Sequence, residues 1–199
     1  MLAKTKAKNI TTAIANPFAK LFIKLGISAD LITFIGTLGV SIVSINFFAQ
    51  GKFLLGVILF TFFVGFDALD GTMARMIGKK SKWGAFFDSV MDRVADGVVL
   101  ASFAIYYLEK NNFLLVVICL IALIASEIVS YTKARAEGLG LSCDTGLAER
   151  PERVLLIMAG SFLAGLGYLA AIDIAMWALA IISIVTVIQR MNFVHKQTK

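Results

Sequence analysis

The sequence predicts an all-α membrane protein, six transmembrane helices preceded by an N-terminal amphipathic helix lying at the interface, and three observations predict it. Of its 199 residues, 59% are hydrophobic, against about 45 to 50% in soluble domains, and the mean hydropathy is +0.86. Apolar runs recur along the chain at close to the roughly 20 residues that cross a bilayer. The breaks between them alternate between short polar turns and longer basic loops. Six spans with their connections use the whole length, so residues 1–199 read as a single membrane domain with no soluble second one.

The elements follow in order. The first 26 residues carry lysines but no continuous apolar core ahead of a small-residue cleavage site, so no removable signal peptide is expected. Asn16 and Pro17 form a helix start, Phe18, Leu21, Phe22 and Leu25 follow the spacing of one helical stripe, and Gly26 is a stop. With Lys20 and Lys24 off the stripe, residues 16–26 are expected to lie on the membrane surface. The spans are expected at Leu31 to Phe48, Phe53 to Met73, Ala85 to Tyr107, Phe113 to Tyr131, Val154 to Ala170 and Ile174 to Ile188. No internal repeat or low-complexity stretch divides them.

Charge orients the bundle. The short connections, around Gly51 and Lys52, Glu109 to Asn112 and Ala171 to Asp173, contain only Lys52 and Lys110 as cations. The opposite side carries the N-terminal lysines, Arg75, Lys79, Lys80, Lys82, Lys133, Arg135, Arg150, Arg153, Arg190, Lys196 and Lys199. Both termini and both long loops are therefore expected on the cytoplasmic side. Most single lysines there serve as topology signals at anionic headgroups. Arg75, Lys133, Arg153 and Arg190 sit at span ends near the acidic residues, where an anionic substrate would need them.

Two chemistries are excluded. The only histidine, His195, lies in the polar tail, and Cys119 and Cys143 show no metal-ligand spacing. Histidine-based zinc sites and Ser-His-Asp catalysis are unavailable. Catalysis must use carboxylates, lysine and arginine.

The second and third spans contain Asp67, Asp70, Asp88, Asp92 and Asp96, although an aspartate at a helix centre costs about 2.5 to 3.5 kcal/mol to insert. Asp67 and Asp70 are three apart, and Asp88, Asp92 and Asp96 four apart, so each set projects from one helical face. Clustered carboxylates repel and hold protons unless a cation sits among them. Oxygen-only ligation suits Mg²⁺, Mn²⁺ or Ca²⁺, and Asp67, Asp70, Asp88 and Asp92 suffice for two ions. An ion-paired cluster with Arg75 and Arg93 is the alternative, but two arginines do not balance five acids. Asp96 reads either as a further member of the metal cluster or as a supporting or arginine-paired group. Gly71 and Gly84 mark close approaches, to a ligand or to a packed neighbour.

These residues spell Asp67-x-x-Asp70-Gly71-x-x-Ala74-Arg75, eight further residues, then Gly84-x-x-x-Asp88-x-x-x-Asp92. The pattern resembles, at every fixed position, the signature of the CDP-alcohol phosphotransferase family, and the likeness extends over nearly the whole chain. The resemblance implies transfer of a phosphatidyl group from CDP-diacylglycerol to a hydroxyl, with release of CMP. It implies Mg²⁺ or Mn²⁺ on the four aspartates, and Asp92 also as the base that takes the hydroxyl proton. It further implies that Gly71, Arg75 and Ser81 contact the nucleotide and that Asp30, Leu31, Ile32 and Thr33 close over the cytidine. Without it, Asp30 and Thr33 read as a helix N-terminus with Ser28 as a cap. A homodimer in the lipid bilayer is expected, and no nucleic acid partner.

The acceptor is read from Ser130 to Glu137, from Glu149-Arg150-Pro151-Glu152-Arg153 and from Gln189-Arg190, which resemble the actinobacterial branch of the family that uses inositol phosphate. There Lys133, Arg153 and Arg190 are implied to bind the acceptor's phosphate, which suits a dianion met by converging cations. Glycerol 3-phosphate is the alternative acceptor. A divalent-cation transporter is a more distant reading, disfavoured because the acids gather toward one end and no repeat is present. Glu127, within the fourth span, has no role in the pattern.

Overall fold

The computed structural model describes residues 15–78 and 81–199. The N-terminal lysines Lys4, Lys6 and Lys8, with Lys79 and Lys80, lie outside the described residues. All regular structure among the described residues is helical: α1 over residues 15–24, α2 Ala29–Val43 continuing into a π-helical turn Ser44–Phe48, α3 Phe53–Ile77, α4 Lys82–Glu109, α5 Phe113–Gly138, α6 Arg150–Gly165 and α7 Ala170–Gln197.

Four of these stretches are long and apolar enough to cross a membrane: Ala29–Phe48, Phe53–Ile77, Phe113–Gly138 and Ala170–Gln197. The expected third and fifth spans form helices that depart from that standard for two reasons. Helix α4 has the length, but Asp88, Asp92, Arg93 and Asp96 interrupt its apolar sequence. Helix α6 has 16 residues, about 24 Å at 1.5 Å per residue, short of a hydrocarbon core of about 30 Å. It ends earlier than the apolar run because Gly167 adopts φ +104° and the amides of Gly167 and Tyr168 turn back onto Ala164 and Leu163. The break falls before Ala170, and the expected connection Ala171 to Asp173 is instead the first turn of α7.

The described residues form two compact units, one from 15–43 with those of Ile58–Ala95, the other Ser44–Val57 with Asp96–Lys199. In the first, α1 ends as expected at Gly26, φ +75°. The amides of Gly26 and Ile27 bond back to Ile23 and Phe22, the left-handed closure that leaves few terminal carbonyls unmatched. Ser28 then caps α2, its Oγ accepting from the Leu31 amide at 3.2 Å. Helix α1 has two apolar faces. Phe18, Leu21 and Leu25 point outward, whereas Ala19, Phe22 and Ile23 pack with Ile32, Met73, Phe66 and Leu69. Phe22, grouped with the outward stripe by spacing, belongs to the inner face.

Lipid tails are as apolar as leucine, so membrane helices associate through close packing of small residues. Helix α2 meets α3 in this way at Gly36 and Gly39. A Cβ at Gly39 would run into the ring of Phe63, and one at Gly36 would fall 2.9 Å from Phe66 Cβ.

In the second unit α7 packs against both α5 and α6. Gly160 brings α6 onto α7, where an added Cβ would lie 2.6 Å from that of Ala175. Phe48 and Phe53 stack on Phe103, with centroids 5.1 and 6.2 Å apart. Tyr107 donates to Asp173 at 2.6 Å, matching the acid at the start of α7. Asn112 caps α5 by accepting from the Leu115 amide.

Gly39→Val should lower the midpoint of thermal unfolding in detergent, by the roughly 1 to 3 kcal/mol typical of overpacking. Gly65→Ala, on α3 with nothing within 4 Å of the new Cβ, should be tolerated in the same measurement.

Candidate functional site

The first unit carries the acidic residues of the signature. Asp70, on α3, is 7% exposed. The Thr33 hydroxyl of α2 donates to its Oδ2 at 2.5 Å. Thr33 is buried too and also bonds to the Ala29 carbonyl. The Gly71 amide is a second neutral donor to Asp70, while the charges of Asp67 and Asp88 act on it repulsively. Asp67 and Asp92 are half-buried and Asp88 is exposed. Asp92 has Arg93 Nη2 at 3.9 Å.

Among the described residues, no three acidic side chains stand together as a metal-holding group. The expected four-aspartate cluster is thus present as residues of α3 and α4 but is not gathered into one ligand set. Mutual repulsion opposes such gathering by carboxylates alone. The donor chemistry nonetheless fits a hard divalent cation. All four groups offer oxygen, and neutral donors leave the charge of buried Asp70 uncompensated, which a cation would correct.

The residues expected to contact the nucleotide divide. Ser81 caps α4, its Oγ accepting from the Gly84 amide at 2.8 Å. A Cβ at Gly84 would lie 2.9 Å from that Oγ and 3.4 Å from Asp30 Oδ1, so the glycine lets Asp30 and Ser81 come together at the N-terminus of α4. A Cβ at Gly71 would meet only the Arg75 Nη1, at 3.9 Å. Arg75 is exposed and donates to Thr72 at 2.9 Å. Leu31 is exposed, whereas the Ile32 side chain is 2% exposed and packed in the core with Ala19 and Met73. Ile32 therefore offers a ligand its backbone alone.

The three expected acceptor-binding cations lie in the second unit. Arg153 and Arg190 are each 3% exposed. Arg153 donates to Asp96 Oδ2 at 2.9 Å and to the Ala148 carbonyl at 3.0 Å. Arg150 Nε meets the other oxygen of Asp96 at 3.3 Å. The two readings left open for Asp96 resolve geometrically toward an arginine partner, shared by two guanidiniums. Arg190 donates from Nε to the Thr145 carbonyl at 2.8 Å and from Nη1 to the Val129 carbonyl. Lys133 Nζ lies 2.8 Å from Asp144.

Residues 139–149, between α5 and α6, thereby touch all three cations. Thr186 of α7 adds to this, its Oγ1 accepting from the amides of Leu147 and Ala148 at 3.2 and 3.0 Å. Cys143 is buried beside them, consistent with a packing role. Asp144, Thr145 and Thr186 had no signal in the sequence, because loop residues and single hydroxyls carry no periodicity.

The CDP-alcohol phosphatidyltransferase family matches residues 27–189 of this chain, including both signature halves, Lys133 and Arg153, and stopping one residue before Arg190. The chain belongs to this family. Among curated relatives, the phosphatidylinositol phosphate synthase of Streptomyces avermitilis is 40% identical over 96% of this chain and 82% of its own length. The protein of that name from Mycobacteroides abscessus is 41% identical over 92% and 84%. Two solved structures of the Mycobacterium tuberculosis phosphatidylinositol phosphate synthase resemble this phosphatidyltransferase. The one with CDP-DAG bound has a TM-score of 0.87 at 35% identity, covering 92% of this chain and 94% of that one. The one with manganese and citrate has a TM-score of 0.85 at 34% identity, covering 90% and 88%.

Asp96→Ala should lower thermal stability sharply, by about 3 to 5 kcal/mol, because it leaves buried Arg153 without its acid; a melting curve in detergent checks this. Asp144 gives a pH prediction. The Lys133 hydrogen bond, then the Lys133 charge, holds its carboxyl below the usual carboxylate range. The contact's contribution is complete above that range and fades as pH falls through the lowered value. A carboxyl NMR titration should find the Asp144 midpoint depressed, and Lys133→Gln should return it upward.

Proposed function

We propose that this phosphatidyltransferase moves the phosphatidyl group of CDP-diacylglycerol onto 1D-myo-inositol 3-phosphate, giving phosphatidylinositol phosphate and CMP. The observation that carries the reading is the near full-length likeness to a synthase of that product solved with CDP-DAG bound. The acceptor's phosphate is read onto Lys133, Arg153 and Arg190, which one loop engages together.

The roles follow from the chemistry of each group. Asp92 takes the proton of the attacking inositol hydroxyl, its oxygen forms the new bond to the phosphatidyl phosphorus, and the bond from that phosphorus to the CMP oxygen breaks. Thr33 fixes one oxygen of Asp70 and so sets the direction of the other. Asp30 and Ser81, at the start of α4, border the cytidine, and Gly71 leaves space for the diphosphate, with Arg75 released from Thr72 to meet it. When bound, Mg²⁺ or Mn²⁺, in our reading two ions on Asp67, Asp70, Asp88 and Asp92, neutralises the diphosphate and polarises the phosphorus under attack. The exposed Asp88 side chain reaches such a set by rotamer changes.

The remaining architecture we propose is six spans, with α4 and α6 crossing beside the four more apolar stretches and α1 at the interface. Both termini face the cytoplasm of a bacterial cell, and the working form is a homodimer.

Purified protein in detergent should release CMP from CDP-diacylglycerol only with inositol 3-phosphate and a divalent ion. Release with glycerol 3-phosphate instead would reassign the acceptor, and no release with any alcohol would overturn the proposal. Asp92→Asn should cut turnover by about 10²-fold or more with the fold intact. Lys133→Ala should raise the KM for inositol 3-phosphate about tenfold, as expected for a charged hydrogen bond, and leave that for the lipid near its starting value.

A further inference from the structure

Lys133 is the most accessible of the three cations, and it is already engaged by an anion of its own chain. Asp144 Oδ1 lies 2.8 Å from Lys133 Nζ with its side chain 78% exposed, while Glu137, one turn along α5, reaches only to 4.0 Å. The Arg190 charge also acts on the Asp144 carboxylate in the attractive sense. The next residue, Thr145, gives its carbonyl to Arg190 Nε. Three residues further along, Ala148 gives its carbonyl to Arg153 Nη1. A single short segment thus presents one carboxylate and two carbonyl oxygens to the three groups assigned to the acceptor's phosphate.

Those contacts differ in how easily they yield. Arg153 and Arg190 are themselves buried, and of their bonds to this segment the one to the Ala148 carbonyl is buried and the one to the Thr145 carbonyl half-buried. The Lys133–Asp144 pair is open to solvent, and exposed pairs of that kind contribute little. A phosphate monoester, with nearly two negative charges and three acceptor oxygens, binds an ammonium more strongly than one carboxylate does.

We propose that Asp144 is a displaceable stand-in for the acceptor's phosphate, occupying Lys133 between turnovers and giving it up when a phosphate-bearing alcohol arrives. It resumes its place as the phosphorylated product leaves, so the ammonium is never exposed without an anion and the product phosphate meets a competitor. Asp144 is in this sense a residue that tunes acceptor affinity, acting through Lys133. The proposal rests on the assignment of the acceptor's phosphate to Lys133.

The test is the KM for inositol 3-phosphate in CMP release, with the KM for CDP-diacylglycerol as internal reference. Asp144→Asn should lower the acceptor KM about two- to fivefold, the factor an exposed ion pair is worth, and Asp144→Glu should restore it. Inorganic phosphate should inhibit Asp144→Asn at correspondingly lower concentration. An acceptor KM that is unchanged or raised in Asp144→Asn, while Lys133→Ala raises it, overturns the stand-in and leaves the acceptor assignment intact. Equal shifts in the KM for both substrates overturn it as well. An unchanged acceptor KM in Lys133→Ala removes the assignment of Lys133 and the proposal together.

Discussion

Charge carried into apolar helices has to be met by another group close at hand, and the parts of this protein that matter most are arranged by that requirement. Arg153 is 3% exposed and is met by Asp96, which Arg150 shares. Arg190 is equally buried and is met by two backbone carbonyls. These contacts fix where residues 139–149 run, because the carbonyls of Thr145 and Ala148 are the ones used. Asp70 is the contrasting case. Its partners are a hydroxyl and an amide, and its charged neighbours Asp67 and Asp88 oppose it. A buried carboxylate in that position is costly until a cation meets it.

The sequence makes the order of elements and the acidic faces legible for the same reason, namely that helical period is written into residue spacing. Gly26 and Ser28 could be read as stop and cap because those roles depend on local chemistry alone. What spacing does not carry is the partner across a gap. Thr33 and Asp70 are 37 residues apart, and nothing in either neighbourhood announces the bond. Asp96 sits in step with Asp88 and Asp92 along α4, so periodicity groups it with ligands, whereas its contacts are arginines more than 50 positions away. Ile32 falls in a stretch that resembles a nucleotide-contacting segment, yet its side chain is fixed by the core. Helix α6 ended early because a left-handed glycine overrode an apolar run that continued past it.

Where hydrophobic burial gives little advantage over lipid, side-chain absence becomes a means of attachment. Gly36 and Gly39 let α2 lie against the rings of α3, Gly160 brings α6 against α7, and Gly165 leaves room for the backbone of Leu54 within 2.6 Å of where its Cβ would be. The Leu54 contact is the least forgiving of these, since backbone cannot turn aside as a ring can. Gly84 uses the same device for polar groups, admitting Asp30 and Ser81 beside the start of α4. Apolar and polar contacts therefore draw on one residue type for one physical reason.

Helix α1 presents Phe18, Leu21 and Leu25 outward while Ala19, Phe22 and Ile23 hold Ile32 and Met73 from within. Ile32 is the immediate neighbour of Thr33, whose hydroxyl orients Asp70. Whatever amphiphile coats the outer face of α1 is thus separated by one layer of side chains from the residue next to the one that fixes an oxygen of Asp70. The outer and inner faces of this one short helix belong to two environments, the surrounding amphiphile and the packing beneath Thr33.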